Sequence, residues 1–135
     1  MKHPVPVVIA MVTLYMASVT SALAPRDFLS RFETAARASD PAFTPVAARG
    51  AAFFKARHGT DWSCSSCHTD NPAAVGRHAA TGKVIQPLAP AARPDRLTDP
   101  AKVDKWFRRN CGDVLNRECT PREKADVVAW LLTIR

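Results

Sequence analysis

Two cysteines and a histidine in the segment DWSCSSCHTD have the types and the spacing for covalent chemistry. Cys64 and Cys67 are separated by two serines, and His68 follows directly. C-x-x-C-H is the attachment pattern for a c-type haem, in which both thiols add across porphyrin vinyl groups and the histidine becomes an axial ligand of the iron. The segment therefore predicts one covalent haem c, with His68 as the proximal ligand.

The ligand on the opposite, distal face of the iron decides between two kinds of haem protein. Two firm ligands give an electron carrier, whereas a weakly held position lets the iron bind a small molecule. All three methionines, Met1, Met11 and Met16, lie in the first 22 residues. If that segment is removed, the usual methionine ligand of electron-carrying cytochromes c is excluded.

Three other side chains are candidates for the distal position. His58 ends the helix predicted before the motif, and we expect it at the surface, capping that helix. His78 lies ten residues after His68, so a short loop would have to cross from one haem face to the other. Asn110 lies on the apolar face of a predicted helix, where its amide needs a polar partner. The residues alone leave the iron, a haem propionate and the backbone open as that partner.

The first 22 residues have the composition of a secretory signal peptide. A basic head at Lys2 precedes an apolar core over residues 5–17, and small residues follow. We expect cleavage after Ala22, which leaves a monohaem cytochrome c domain of residues 23–135; cleavage two residues later is the alternative. The apolar core is short for a membrane span, so no membrane anchor is expected after processing.

Export and haem attachment point to the same compartment. Thioether formation to C-x-x-C-H occurs outside the cytoplasm, and we expect the bacterial periplasm. The chain has a formal net charge of +7, but its basic residues form no run, so nucleic acid is not an expected partner. The charge fits either a positive surface that steers an acidic redox partner or a general role in solubility.

The apolar periodicity predicts four helices joined by proline-rich loops, which is an all-α fold in one domain. We expect them at residues 26–38, 46–58 and 101–111, and from Thr120 to the C-terminus. Thr120 and Glu123 form a capping box around Pro121. Residues 71–94 lack a helical period and predict an irregular loop moulded around the haem, with a short extended piece at residues 84–85.

This order of elements resembles the class I cytochrome c fold. In that fold a helix ends just before the haem motif, and the N-terminal and C-terminal helices cross above the haem. Gly50, in the predicted helix that precedes the motif, is placed for a close crossing. The resemblance implies that the haem forms much of the core of this small domain.

Two longer segments carry a more specific resemblance. HAATGKVIQPLAP (residues 78–90) and RLTDPAKVDKWFRRNCGDVLNREC (residues 96–119), with the motif W-F-x-R-N-C, resemble the sphaeroides haem protein family of exported monohaem cytochromes c. The resemblance covers almost all of the chain after the signal peptide. It implies a high-spin haem with Asn110 as the distal ligand and a pocket walled by Trp106 and Phe107.

The resemblance also implies a function. Because a neutral amide is a weak ligand, Asn110 is expected to leave the iron on reduction and to open a site for O2, NO or CO. A dihaem cytochrome c and a membrane cytochrome b are the implied electron donors. No catalytic residue is predicted, since the distal face lacks an evident acid-base pair, and oxygen reduction would be slow. The alternative is a low-spin shuttle, ligated by His78, without small-molecule binding.

Cys111 and Cys119 remain after haem attachment. Two spare cysteines eight residues apart most often pair in an oxidising compartment. Gly112, Asp113 and Asn116 between them suit a turn that lets the ends meet. We predict a disulfide, with free thiols or a zinc site as weaker alternatives.

Overall fold

The computed structural model describes residues 23–135, and the predicted signal peptide lies outside them. In chain order, the elements of this part are α1 (Pro25–Arg37), α2 (Ala47–Lys55), α3 (Ser65–His68), β1 (Gly76–Arg77), β2 (Val84–Ile85), α4 (Pro100–Leu115) and α5 (Pro121–Leu131). β1 and β2 form a two-residue antiparallel ladder, with Gly76 opposite Ile85. The fold class is therefore all-α, as predicted. Within residues 23–135, no helix is long and apolar enough to cross a membrane.

Helix α5 is the central element, because most of its residues are buried. Val128 on one side packs into a cluster with Phe28 of α1. Leu131 on another side belongs to a second cluster with Phe54 of α2. Each such side chain contributes roughly 1.5–3 kcal/mol on burial, so α5 joins α1 and α2 into one frame.

The crossing of α2 and α5 depends on a glycine, as predicted. A Cβ atom on Gly50 would lie 2.0 Å from the carbonyl oxygen of Asp126, so only glycine lets the two backbones approach this closely. The Asp126 side chain is 5% exposed and pairs with Arg49. Its Oδ1 atom also accepts from the N–H of Val46 at 2.8 Å, at the start of α2. The buried carboxylate therefore has an ion-pair partner and a hydrogen-bond partner, and these contacts connect α2 to α5.

Two helix starts were predicted from capping residues, and the structure confirms both. Asp99 caps α4 by accepting from the N–H of Lys102 at 3.1 Å, with Pro100 at the first helical position. Thr120 and Glu123 form the predicted capping box of α5. The extended piece at Val84–Ile85 is also confirmed, although its pairing with β1 was not foreseen.

Three helix ends differ from the prediction. Helix α5 ends at Leu131 and does not reach the C-terminus. Helix α2 ends at Lys55 rather than at residue 58, because the His58 ring lies 2.8 Å from the Phe53 carbonyl and takes the place of a further helical bond. Helix α4 continues past residue 111 to Leu115, where Asn116 adopts a left-handed conformation and ends it. The residues between the two spare cysteines are therefore mostly helix, not the predicted turn.

Candidate haem site

A cavity of about 520 Å³ lies between the C-x-x-C-H segment and α4. All six predicted haem-site residues line it, although they come from distant parts of the sequence. We call residues 64–68 the motif wall. We call the face of α4 that lines the cavity, including Trp106, Phe107 and Asn110, the α4 wall. The six residues are Cys64, Cys67 and His68 of the motif wall and Trp106, Phe107 and Asn110 of the α4 wall.

Helix α3 folds the motif wall into a single helical turn. The N–H groups of Cys67 and His68 both donate to the Cys64 carbonyl, at 3.3 and 3.1 Å. Residues three apart share a face of a helix, so the two thiols are presented side by side to the cavity. Neither thiol forms a disulfide. The two-residue spacing of the motif thus has a direct geometric result.

Burial shifts the pKa values of two side chains in the motif wall, Cys64 and His68. It raises the pKa of the Cys64 thiol to about 11, so the thiol is protonated at pH 7. Burial, and secondarily the positive charge of Arg96, lower the pKa of His68 to about 4. The imidazole is therefore neutral at pH 7, the form that binds a metal ion. The Phe54 ring, itself packed on Trp130, lies 6.1 Å from the His68 ring.

The chain turns back over the motif directly after His68. Thr69 has a φ of 62°, which a β-branched residue rarely adopts, and its hydroxyl donates to the Asn71 carbonyl at 2.7 Å. Strand β1 then passes so close to α3 that a Cβ atom on Gly76 would lie 2.0 Å from the Cys67 carbonyl oxygen. The motif wall is thus clamped from behind by backbone.

The α4 wall has the face that the periodicity predicts, with Val103, Trp106, Phe107 and Asn110 all lining the cavity. Phe107 also packs edge-on against Phe32 of α1, with ring centroids 5.4 Å apart. Trp106 is 44% exposed. Asn110 is half-buried at the cavity surface. The amide therefore shares one space with His68 and both thiols.

The two spare histidines lie in different surroundings. His58 contacts the end of α2, as predicted, and does not line the cavity. His78 does line it, but its Nδ1 atom accepts from the N–H groups of Ala80 and Thr81, each at 3.3 Å. The neutral ring then carries its proton on Nε2, which leaves no free lone pair on that atom for a metal ion. The adjacent N–H of Ala79 lies 3.2 Å from the Cys67 sulfur, on the side of the motif wall.

Comparison with known proteins identifies the family. The model of a family described as a domain of unknown function, DUF1924, matches residues 41–131. Cytochrome c'' of Methylophilus methylotrophus is 39% identical over 123 residues, which are 87% of this chain and 83% of that protein. The cytochrome c-type protein SHP of Cereibacter sphaeroides is 55% identical over 69 residues, 51% of this chain and 53% of that protein. The chain belongs to this family of c-type cytochromes. The resemblance predicted from residues 78–90 and 96–119 is confirmed.

Solved structures agree with this assignment. The structure of oxidised SHP, described as an oxygen-binding cytochrome c, has a TM-score of 0.74 and 41% identity, and the match covers 84% of this chain and 99% of that one. Oxidised cytochrome c'' also has a TM-score of 0.74, with 38% identity over 82% of this chain and 94% of that one. A solution structure of cytochrome c'' is described in connection with haem-ligand detachment. The predicted cytochrome c-like fold is confirmed.

A c-type cytochrome of this family implies covalently bound haem, and the cavity fits one. Two thiols lie side by side on the motif wall, and a neutral imidazole lies next to them. Apolar side chains such as Phe54, Val127 and Leu131 form much of the remaining surface. This combination of anchors, ligand and apolar surface suits a porphyrin.

Cys111 and Cys119 lie where α4 leaves the cavity and α5 begins. Their sulfur atoms are within bonding distance, and the Cα atoms are 5.5 Å apart. Both cysteines are buried, and both line the cavity. Because Cys111 follows Asn110 directly, a bond between the two cysteines fixes the end of α4 on which Asn110 lies.

Three contributors to the site were not predicted from the sequence: Phe54 beside His68, Gly76 behind Cys67, and Arg96 in the cavity wall. Phe54 and Gly76 follow ordinary patterns, an apolar residue on a helix face and a glycine in a loop. Arg96 is preceded by proline and aspartate in a polar stretch that reads as surface. Each acquires its role only through tertiary contacts.

Proposed function

We propose that residues 23–135 form an exported, periplasmic cytochrome that carries one haem c. Cys64 and Cys67 bind the porphyrin by thioether bonds, His68 is the proximal iron ligand, and Asn110 is the distal ligand. The observation that carries this proposal is the shared cavity, in which the motif wall and the Asn110 amide face one apolar space. Membership of a c-type cytochrome family supports the assignment of the thiols and of His68.

A haem bound here would supply an iron that changes oxidation state and accepts a diatomic ligand when one axial position is open. The residues of the chain determine which axial position opens. His68 follows a cysteine anchor directly and is clamped by Gly76 and Phe54, so it stays in place. Asn110 offers a neutral amide oxygen from a half-buried position, and this weak ligand binds a ferric centre better than a ferrous one.

The proposed activity is electron acceptance from a partner cytochrome, followed by binding of O2, NO or CO at the ferrous haem after Asn110 dissociates. The description of SHP as an oxygen-binding cytochrome supports this ligand class. The study of haem-ligand detachment in cytochrome c'' supports a mobile axial ligand. Trp106 and Phe107 would form the wall of the vacated space. A dihaem cytochrome c and a membrane cytochrome b are the proposed donors, as the family resemblance implies.

The second candidate is a low-spin electron shuttle ligated by His78, and it is considered because His78 lines the cavity. Two contacts count against it. Its Nδ1 atom accepts backbone hydrogen bonds, which assigns the proton to Nε2, and the neighbouring N–H of Ala79 is held at the Cys67 sulfur on the motif wall. Ligation would require His78 to break its turn and cross the cavity.

Absorption spectra of the purified ferric and ferrous protein test the proposal. The wild type should be high-spin in the ferric state, without a methionine charge-transfer band, and should bind CO when reduced. Asn110→Ala should stay high-spin and bind CO at least as fast, because a competing ligand is removed. Asn110→His should give a low-spin haem and slow the binding, because imidazole is a much stronger ligand than an amide.

His78→Ala is the matched control, since it removes the other candidate from the same cavity. It should leave the spectra of both oxidation states unchanged. If the wild type is low-spin and His78→Ala converts it to high spin while Asn110→Ala has no effect, the shuttle is the correct function. A purified protein without covalent haem would overturn both candidates.

A further inference from the structure

The cavity wall contains a cation that the proposed ligand set does not use. Arg96 is half-buried and lines the cavity. Its Nε atom donates to the Pro87 carbonyl at 2.8 Å and its Nη2 atom to the Gln86 carbonyl at 3.0 Å. Both partners are neutral, and within residues 23–135 the guanidinium forms no ion pair shorter than 4 Å.

The neighbouring charges do not neutralise Arg96. The nearest carboxylate in sequence, Asp95, is bound by Arg93 at 2.8 Å. Burial and the like charge of Arg93 lower the pKa of Arg96 and outweigh the opposing attraction of Asp95, so the charged form of Arg96 is held at a cost. A partly desolvated cation is costly without an anion, which indicates that an anionic group belongs beside it.

The position of Arg96 is fixed by the same segment that frames the motif wall. The carbonyls of residues 86 and 87 hold its guanidinium, and the next two residues, Leu88 and Ala89, donate to the Pro72 carbonyl at 2.8 and 3.0 Å. Pro72 lies four residues after His68. The loop that follows the motif therefore supports the segment that holds Arg96. The carbonyls of Gln86 and Pro87 orient the planar guanidinium before any ligand binds.

We propose that Arg96 is a positioning residue that binds a haem propionate. This inference rests on the proposed function, because it requires a haem in the cavity. A haem carries two carboxylates on one edge, and guanidinium binds carboxylate by paired N–H donors. The Nη1 atom and the second N–H of Nη2 remain free for that contact. Arg96 thereby orients the porphyrin edge and places a positive charge near the iron.

Arg93 provides the matched control. It is the same residue type, three positions earlier, and it also lines the cavity, but its charge is already paired with the exposed carboxylate of Asp95. Arg93→Gln should leave the haem potential close to that of the wild type. Arg96→Gln should lower the potential, because the propionate would lose the positive charge that offsets it near the iron, and this favours the ferric state.

The experiment measures the reduction potential and the propionate bending bands in resonance Raman spectra of haem-bearing wild type, Arg96→Gln, Arg96→Lys and Arg93→Gln. We expect Arg96→Gln to lower the potential and to shift a propionate band. Arg96→Lys should keep more of the potential, because it retains the charge, but should still shift the band, because it lacks the fork. Arg93→Gln should change neither.

Unchanged bands in Arg96→Gln, or an equal fall in potential for both glutamine variants, would overturn the assignment while leaving the proposed function intact. If Arg96→Gln does not fold, Arg96→Lys decides through the propionate band alone. Loss of stability without a shift in band or potential would mean that Arg96 only braces the loop. A wild type without covalent haem would overturn this inference together with the proposed function.

Discussion

The two walls of the cavity are built in different ways. The motif wall is one helical turn of adjacent residues, closed by hydrogen bonds to the Cys64 carbonyl and clamped by the backbone at Gly76. The α4 wall is one face of a 16-residue helix. Its position depends on contacts with more distant segments, namely the packing of Phe107 on Phe32 and the approach of Cys111 to Cys119, two residues before α5.

This difference has a functional consequence. A ligand that is part of a covalent, backbone-clamped turn cannot leave without unfolding the turn. A ligand on a separate helix can move by a change in side-chain rotamer, without unfolding of that helix. The proposed function would therefore combine a permanent attachment on the motif wall with an exchangeable contact on the α4 wall.

The largest expected effect comes from removing the anchors of the motif wall. Cys64→Ser with Cys67→Ser should abolish covalent attachment, because no thiol remains to form a thioether bond. The mass of the purified chain measures this directly: the wild type should match residues 23–135 plus one haem. Ser65→Ala, a change between the two anchors, is the control and should retain the haem. Full haem content in the double variant would refute the role of the thiols.

On the α4 side, removal of the Cys111–Cys119 link should be costly but not fatal. A disulfide that closes a short loop contributes roughly 2–3 kcal/mol, so Cys111→Ser with Cys119→Ser should lower the free energy of unfolding by about that amount. The covalent haem should remain. The rate of CO binding to the ferrous protein should change, because the end of α4 that carries Asn110 is released.

Thiol titration of the protein as isolated is the companion measurement. It should find no free thiol once the haem has taken Cys64 and Cys67. Two reactive thiols in the native protein would contradict the proposed link, and an unchanged CO rate after mild reduction would separate the link from the position of Asn110.

The sequence predicted the motif wall well because its chemistry is local. Five adjacent residues contain both proposed anchors and the proposed proximal ligand, and helix starts such as Thr120–Glu123 are specified within one turn. The face of α4 was also predictable, since periodicity reports which residues share a side. Asn110 could be placed on that face, but its proposed role as a ligand came from family resemblance, because spacing does not distinguish iron from another polar partner.

What the sequence could not predict depends on contacts between distant segments. Gly112 is a residue type that disfavours helices, yet α4 continues through it to Leu115. Asn116 then adopts a left-handed conformation and donates its backbone N–H to the Gly112 carbonyl. Arg96 reads as a surface residue, yet the fold turns it into the cavity wall. Thr69 adopts a backbone conformation that its residue type disfavours, at the point where the chain leaves α3.

Two glycines sharpen the comparison between the walls. Gly76→Ala would place a Cβ atom 2.0 Å from the Cys67 carbonyl oxygen, and such overpacking typically costs about 1–3 kcal/mol. Gly112→Ala lies on the α4 side, where nothing is within 4 Å of the added atom, and it should stabilise the helix by about 0.5–1 kcal/mol. Denaturant unfolding of the haem-bearing proteins gives both values. Equal effects of the two substitutions would mean that the motif wall is not clamped by its backbone.

The smallest expected effect concerns the outer edge of the α4 wall. Lys105 and Arg109 flank the exposed Trp106, with their charges 5.8 and 5.7 Å from its ring. If an acidic donor approaches here, Lys105→Gln with Arg109→Gln should slow reduction by less than about tenfold at low salt. The difference should vanish near 1 M salt, where the screening length falls to about 3 Å.

Stopped-flow reduction by an acidic cytochrome measures the rates, and Lys55→Gln, outside the cavity lining, is the control. A salt profile identical for wild type and double variant would assign these charges to solubility, and would leave the α4 wall as a ligand-binding surface without a role in docking.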